Sequence, residues 1–248
     1  MSEPLDALWR GLAAVGLRVA LPIPAAVFDS AAAPVRLSDL LSGARTAVII
    51  GDGGPGFFRG FLAAGGPDGA PHPLDRYTRT TLAAVARGAL APLGLPHALV
   101  FPFSGGGVAG PPLPFQRLGR AAGMGPPGPL GIQVHPVYGP WWAYRGLIAL
   151  DVAAEAVALP AAAPRSGDGC AGCDAPCVAA CPAGAVRTAG LHYLACASER
   201  LAPASACRTS CAARIRCVRG PEHRYSDAQL EFHMTASFPR TGLAVVRP

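Results

Sequence analysis

Apolar positions recur with a helical period over residues 4–16, where Leu5, Leu8, Trp9, Leu12 and Val15 fall on one face. The same period returns over residues 74–90, with Leu74, Tyr77, Thr81, Leu82, Val85 and Leu90 on a stripe. Asp75 lies in its first turn, where the helix dipole favours a carboxylate. Shorter helices are predicted over 37–41, with Ser38 near the start, and over 115–123, ending at a glycine. Two apolar runs, 46–50 and 98–103, read as strands. Residues 130–134 and 143–150 read as two further strands around a turn at Tyr138, Gly139 and Pro140. The stretch through Pro22 and Pro24 reads as a turn-rich link. Residues 104–114 form a Gly/Pro loop too long for simple punctuation, and so a candidate functional loop. Residues 153–164 are rich in Ala and Pro and read as a linker. Beyond it, a turn at Pro221 leads to a helix capped by Ser226.

Two stretches carry candidate chemistry before the linker. The run Gly51-Asp52-Gly53-Gly54-Pro55-Gly56 formally matches a dinucleotide-binding loop after a strand. Pro55 removes a backbone donor, and no acidic residue follows where a ribose contact belongs. The run therefore reads as a strand-to-helix turn, with ligand contact through its free N–H groups left open. The second stretch gathers His135, Tyr138, Trp141, Trp142, Tyr144 and Arg145 at one turn. Aromatic rings there can simply close one end of a core. A flat aromatic wall beside one His and one Arg also suits a large planar ligand.

Composition adds constraints. The chain has 248 residues, 51% hydrophobic and 15% charged, enough for a sizeable core in one large domain or one domain plus a small module. Gly (31) and Pro (27) imply many turns and shaped loops. The net charge is +6, every basic residue is Arg, and seven of them (Arg187, Arg200, Arg208, Arg214, Arg216, Arg219 and Arg224) surround the cysteines. No aromatic-interleaved basic helix or nucleic-acid motif accompanies them, so no nucleic-acid partner is expected. Steering of an acidic redox partner and compensation of thiolate charge are the favoured readings. The acidic N-terminus is unlike a signal peptide, and no apolar stretch reaches the length of a membrane span. A soluble cytoplasmic protein with reduced thiols is expected.

All eight cysteines lie between residues 170 and 217. The first four read Cys170-x2-Cys173-x3-Cys177-x3-Cys181-Pro182; the others are Cys196, Cys207, Cys211 and Cys217. Thiolates this crowded ligate a soft metal centre, pair as disulfides or oxidise. The Cys-Pro ending marks a bacterial-type iron–sulfur run, in which the last Cys ligates the other cluster of a pair. This chain has x3 where that run has x2 in its second gap. Structural zinc sites pair separated C-x2-C knuckles, and only one C-x2-C step is present. The crossover rule assigns Cys170, Cys173, Cys177 and Cys217 to one [4Fe-4S] cluster, and Cys181, Cys196, Cys207 and Cys211 to another. A single cluster on the first four, with the rest structural, is the alternative.

The Cys-rich stretch resembles the two-cluster ferredoxin module of the corrinoid-dependent reductases, epoxyqueuosine reductase and the reductive dehalogenases. Arg120-Ala-Ala-Gly-Met-Gly125, followed by Tyr138-Gly139-Pro140-Trp141, resembles the stretch upstream of the clusters in epoxyqueuosine reductase. The run from Gly131 to Gly146, Pro73-Leu-Asp75 and Glu222-His-Arg-Tyr-Ser226 resemble the cobalamin-processing family of methylmalonic aciduria and homocystinuria type C. The resemblance implies an α+β fold: a flavin-reductase/nitroreductase-like core over 1–160, a ferredoxin-like module over 161–235, and a tail over 236–248. It implies one-electron reduction of a cobalamin by [4Fe-4S] clusters fed by an external donor of flavodoxin or ferredoxin type. His135, Tyr138, Trp142 and Arg145 would then lie near the corrin or a co-substrate, Arg145 matching an Arg that helps bind glutathione. Flavin, common in this fold family, stays open as a ligand. Epoxyqueuosine reductase has a proton-donating Asp where residues 110–116 here carry no acid, which argues against that particular reaction. The alternative is a ferredoxin-like electron carrier without a small-molecule substrate; a zinc-stabilised binding protein is the third reading. Oligomeric state is not legible.

Overall fold

A computed structural model describes residues 5–103, 112–159 and 167–237. The chain divides into two compact units. The first comprises residues 1–124 and 142–166, the second 125–141 and 167–248. The sequence reading drew boundaries at residues 160 and 235; the compact units group residues 125–141 with the Cys-rich segment.

The first unit is built on an antiparallel sheet. Its elements are α1 (Asp6–Ala14), β1 (Val19–Pro24), α2 (Ala25–Ala32), α3 (Leu37–Leu40), β2 (Thr46–Gly53), α4 (Gly56–Ala63), α5 (Pro73–Leu90), β3 (His97–Val100), α6 (Phe115–Ala121) and β4 (Trp142–Leu150). The strand order is β1-β2-β4-β3. β2 is buried at all eight positions, as a central strand without polar alternation must be. Leu8, Trp9 and Leu12 of α1 are buried as the period predicts, and α1 packs on α5. Phe57, Phe61 and Tyr77 cluster between α4 and α5 with ring centroids 5.2–5.6 Å apart.

Two expectations fail here. The stretch through Pro22 and Pro24 is a strand, not a link. β1 pairs only with β2, and an edge strand tolerates proline because its outer side needs no donors. Gly51, Asp52 and Gly53 belong to β2 rather than to a loop. The register shifts between Ile50 and Gly51. A Cβ on Gly51 would stand 2.9 Å from the Ala143 carbonyl, so the close strand approach requires glycine. The expected strand-to-helix turn then falls at Gly54 and Pro55, ahead of α4.

The second unit contains α7 (Pro176–Ala179), β5 (Val186–Arg187), β6 (Gly190–Leu191), α8 (Tyr193–Leu201), α9 (Ala212–Ile215) and α10 (Asp227–Ala236). Ser226 caps α10 by accepting from the Gln229 N–H at 3.2 Å, as expected. Residues 130–134 do not form a strand. They make isolated bridges, Pro127 with Gln133 and His135 with Gly139. Pro126, Pro127 and Pro129 lack the donors a ladder needs. The segment lies tightly on the Cys-rich chain: a Cβ on Gly139, itself at φ +60°, would sit 2.0 Å from the Arg219 carbonyl. Among the described residues no helix is long and apolar enough to cross a membrane.

Candidate metal centres

All eight cysteines are free thiols. Cys170 and Cys173 sit in turns ahead of α7: Asp168 Oδ1 accepts from the Cys170 N–H at 2.8 Å, and Cys173 N–H donates to the Cys170 carbonyl at 3.1 Å. Ala175 in the left-handed region, followed by Pro176, starts α7, which carries Cys177. Cys181 follows that helix. Cys196 is on α8, Cys207 in a short helical turn braced by Ser205, and Cys211 and Cys217 flank α9.

The thiols fall into two fours. Cys170, Cys173, Cys177 and Cys217 line a cavity of about 240 Å³ together with Pro129, Val134 and Arg219. Cys181, Cys196, Cys207 and Cys211 line another of about 270 Å³, with Leu130, Val186, Leu191, Arg200 and Arg214 among its walls. These are the same fours that the crossover rule picks out. Gly128 makes room for the first set, since a Cβ there would meet Cys170 Sγ at 2.6 Å.

Electrostatics partition the thiols the same way. Burial, then Asp168, then the Cys217, Cys173 and Cys177 thiols push Cys170 up to about 11. Burial raises Cys177 and Cys217, whose thiol neighbours are again members of that four. Burial also raises Cys196 and Cys207, each pushed further by Cys211 and Cys181. Thiols that burial pushes up, as at Cys170, Cys177, Cys196, Cys207 and Cys217, would release protons on binding a metal as thiolates. Among the described residues, no three His, Cys, Asp or Glu side chains meet closely enough to hold a single metal ion. The thiols line two separate cavities.

The other candidate residues line neither cavity. His135 is fully buried, and its Nδ1 accepts from the N–H groups of Val137 (3.1 Å) and Tyr138 (3.3 Å). That fixes the tautomer with the proton on Nε2. Burial, then the nearby His223, lowers its pKa to about 4, so it is neutral at pH 7. Tyr138 packs between His135 (5.0 Å) and His223 (4.7 Å). In the sheet unit, Trp142 packs edge-on to Tyr144 at 4.6 Å. Arg145, 7% exposed, donates from Nε and Nη2 to Asp52 Oδ2 at 3.0 and 2.7 Å, while Asp52 Oδ1 accepts from the Ala143 N–H. Sequence reasoning treated Asp52 as one position of a glycine loop and missed this partner, 93 residues away. It read Arg200, Arg214 and Arg219 as steering a partner or compensating thiolate charge; the structure shows that they line the cavities.

No protein-family profile matches the chain, and no curated protein matches it in sequence. Solved structures do match its fold. The C. elegans B12-trafficking protein CblC, a human MMACHC homologue, aligns at 14% identity with a TM-score of 0.54, covering 97% of this chain and 96% of that one. Epoxyqueuosine reductase, solved with an epoxyqueuosine-modified tRNA stem loop, aligns at 15% identity with a TM-score of 0.55, over 91% of this chain and 68% of that one. The chain spans 53% of the epoxyqueuosine reductase from Streptococcus thermophilus, at 14% identity and a TM-score of 0.44. At these identities the likeness defines the class by architecture: a mixed α/β chain with a four-stranded antiparallel sheet, as in CblC and epoxyqueuosine reductase.

Proposed function

We propose that the second unit holds two [4Fe-4S] clusters, and that the protein is an iron–sulfur reductase acting on a cobalamin or related corrinoid. The observation that carries this reading is the separation of eight free cysteines into two fours, each around its own cavity. When bound, the clusters supply one-electron chemistry. The chain's own part is to hold iron through thiolates, to surround it with apolar walls such as Val134, Val186 and Leu191, and to place guanidinium charge beside it. The corrinoid half of the reading rests on the fold shared with a B12-trafficking protein and on the motif around His135 to Arg145. In that reading His135, Tyr138, Trp142 and Arg145 serve the corrin or its co-substrate. The electron donor is an external flavodoxin- or ferredoxin-type protein.

A second reading, an electron carrier with no small-molecule substrate, is favoured by one observation. The guanidinium that would meet a co-substrate, Arg145, already binds the buried carboxylate of Asp52. Anaerobic purification followed by titration with hydroxocobalamin separates the two. Brown protein with about eight iron atoms and a shifted corrin band supports the reductase. Brown protein with an unmoved corrin band leaves the carrier. A colourless zinc protein overturns both.

A further inference from the structure

Each thiol-lined cavity has arginine in its wall. Arg219 lines the first, and its charge lowers the Cys217 thiol against the effect of burial. Arg200 and Arg214 line the second, and Arg200 acts on Cys196 in the same sense. The three side chains are half-buried, and each bonds a backbone carbonyl. Arg219 Nη2 donates to the Ala171 carbonyl at 2.7 Å, Arg214 Nη2 to the Pro140 carbonyl, and Arg200 Nη2 to the Met234 carbonyl. Carbonyls orient a guanidinium but do not neutralise it. The Nε atoms of Arg214 and Arg219 are buried with no acceptor, and neither residue pairs with a carboxylate among the described residues. Arg214 is further held over the rings of Trp141 (5.2 Å) and Tyr225 (4.8 Å). Guanidinium groups in a cavity wall would attract the net negative charge of a thiolate-bound cluster held there.

Beside the first stand Arg219, Arg224, whose charge also lowers the Cys217 thiol, and one carboxylate, Asp168, bonded to the Cys170 N–H. Beside the second stand two guanidinium groups, Arg200 and Arg214, against the one carboxylate of Glu199, which accepts from Ser205 Oγ at 2.7 Å. Positive charge and N–H donors near a cluster's sulfurs stabilise its reduced form.

We propose that Arg214 and Arg219 tune the clusters held by the two sets of thiols, each raising the reduction potential of the cluster in its own cavity. The proposal rests on the two-cluster reading above.

The test is an anaerobic dithionite titration of the iron-loaded full chain, followed by electron paramagnetic resonance. Each wave is assigned with the Cys173→Ala and Cys207→Ala chains. Arg219→Gln is expected to lower only the wave of the first site, and Arg214→Gln only that of the second. The expected shift is about tenfold in the reduction equilibrium, or about 59 mV for one electron. Arg219→Lys and Arg214→Lys keep the charge and should restore most of the potential, which guards against misfolding as the cause. Waves unmoved by Gln, or waves moved as far by Lys as by Gln, would each overturn the proposal. A chain that binds no iron overturns the two-cluster reading beneath it, and iron content tells that failure from the others.

Discussion

In the sheet unit, β2 is buried along its whole length, β4 is buried from Arg145 to Leu150, and Phe28, Phe57, Leu82 and Leu118 fill the space around them. In the Cys-rich unit, the strands are two residues long, α7 and α9 are one turn each, and apolar residues gather in small clusters such as Trp141, Tyr225 and Leu230, or Cys177, Val186 and Ala213. A helix of four residues cannot hold itself in water, and a two-residue ladder buries little. The sheet unit has the apolar burial that an ordinary domain needs. The Cys-rich unit has shape without a comparable core, which is the situation in which small folds rely on metal or disulfide staples. The proposed iron–sulfur clusters would supply such a staple.

Iron removal tests that contrast most strongly. Because metal binding is folding free energy in such folds, on the order of 10 kcal/mol for structural sites, chelation should abolish amide-exchange protection in residues 167–237. Protection in β2 and β4 should persist. Equal loss in both units would show that the contrast is false.

The sheet unit should instead be broken through its buried ion pair. Asp52→Ala leaves Arg145 without its carboxylate and the Ala143 N–H without its acceptor. The expected cost is about 3–5 kcal/mol, read by urea denaturation, with iron content unchanged. A loss below about 1 kcal/mol would place the pair in contact with solvent.

Acid should act on the Cys-rich unit through His135. Its folded pKa of about 4 lies below the ordinary 6.5, because burial opposes the charged ring. Below 6.5 the unfolded chain binds a proton that the folded chain refuses. Stability from this group is complete above pH 6.5 and falls as the pH drops toward 4, by about 3 kcal/mol in full. His135→Gln, which cannot protonate, should remove this slope from pH-dependent melting. An unchanged slope would mean that another group carries it.

Ser226→Ala should have the smallest effect. Losing the cap to the Gln229 N–H costs about 1 kcal/mol, seen as a small drop in the melting temperature of the Cys-rich unit alone.

The fold was legible where one segment carries its own signal. The apolar run before Gly51, the period of α5 and the capping serine of α10 needed no distant information. β1 was missed because its two prolines read as a break, and only its edge position excuses them. The expected strand over 130–134 failed for the opposite reason: alternation was present, but the neighbouring prolines denied it a ladder. The crossover rule proposes two sets of four ligands, and the same residues line the two cavities. Asp52 with Arg145, and the arginines along the cavities, join residues far apart in the chain, and local pattern holds no record of such pairs. The candidate loop over 104–114 lies mostly outside the described residues, as does the tail.

The most direct test of two separate four-thiol centres is the iron content of paired alanine variants after anaerobic reconstitution. Cys173→Ala and Cys207→Ala should each lose about half the iron, and together all of it. Cys173→Ala with Cys217→Ala, both from one four, should lose no more than either alone. If the Cys173→Ala and Cys217→Ala losses add, or if Cys207→Ala leaves the iron unchanged, the partition into two centres is wrong.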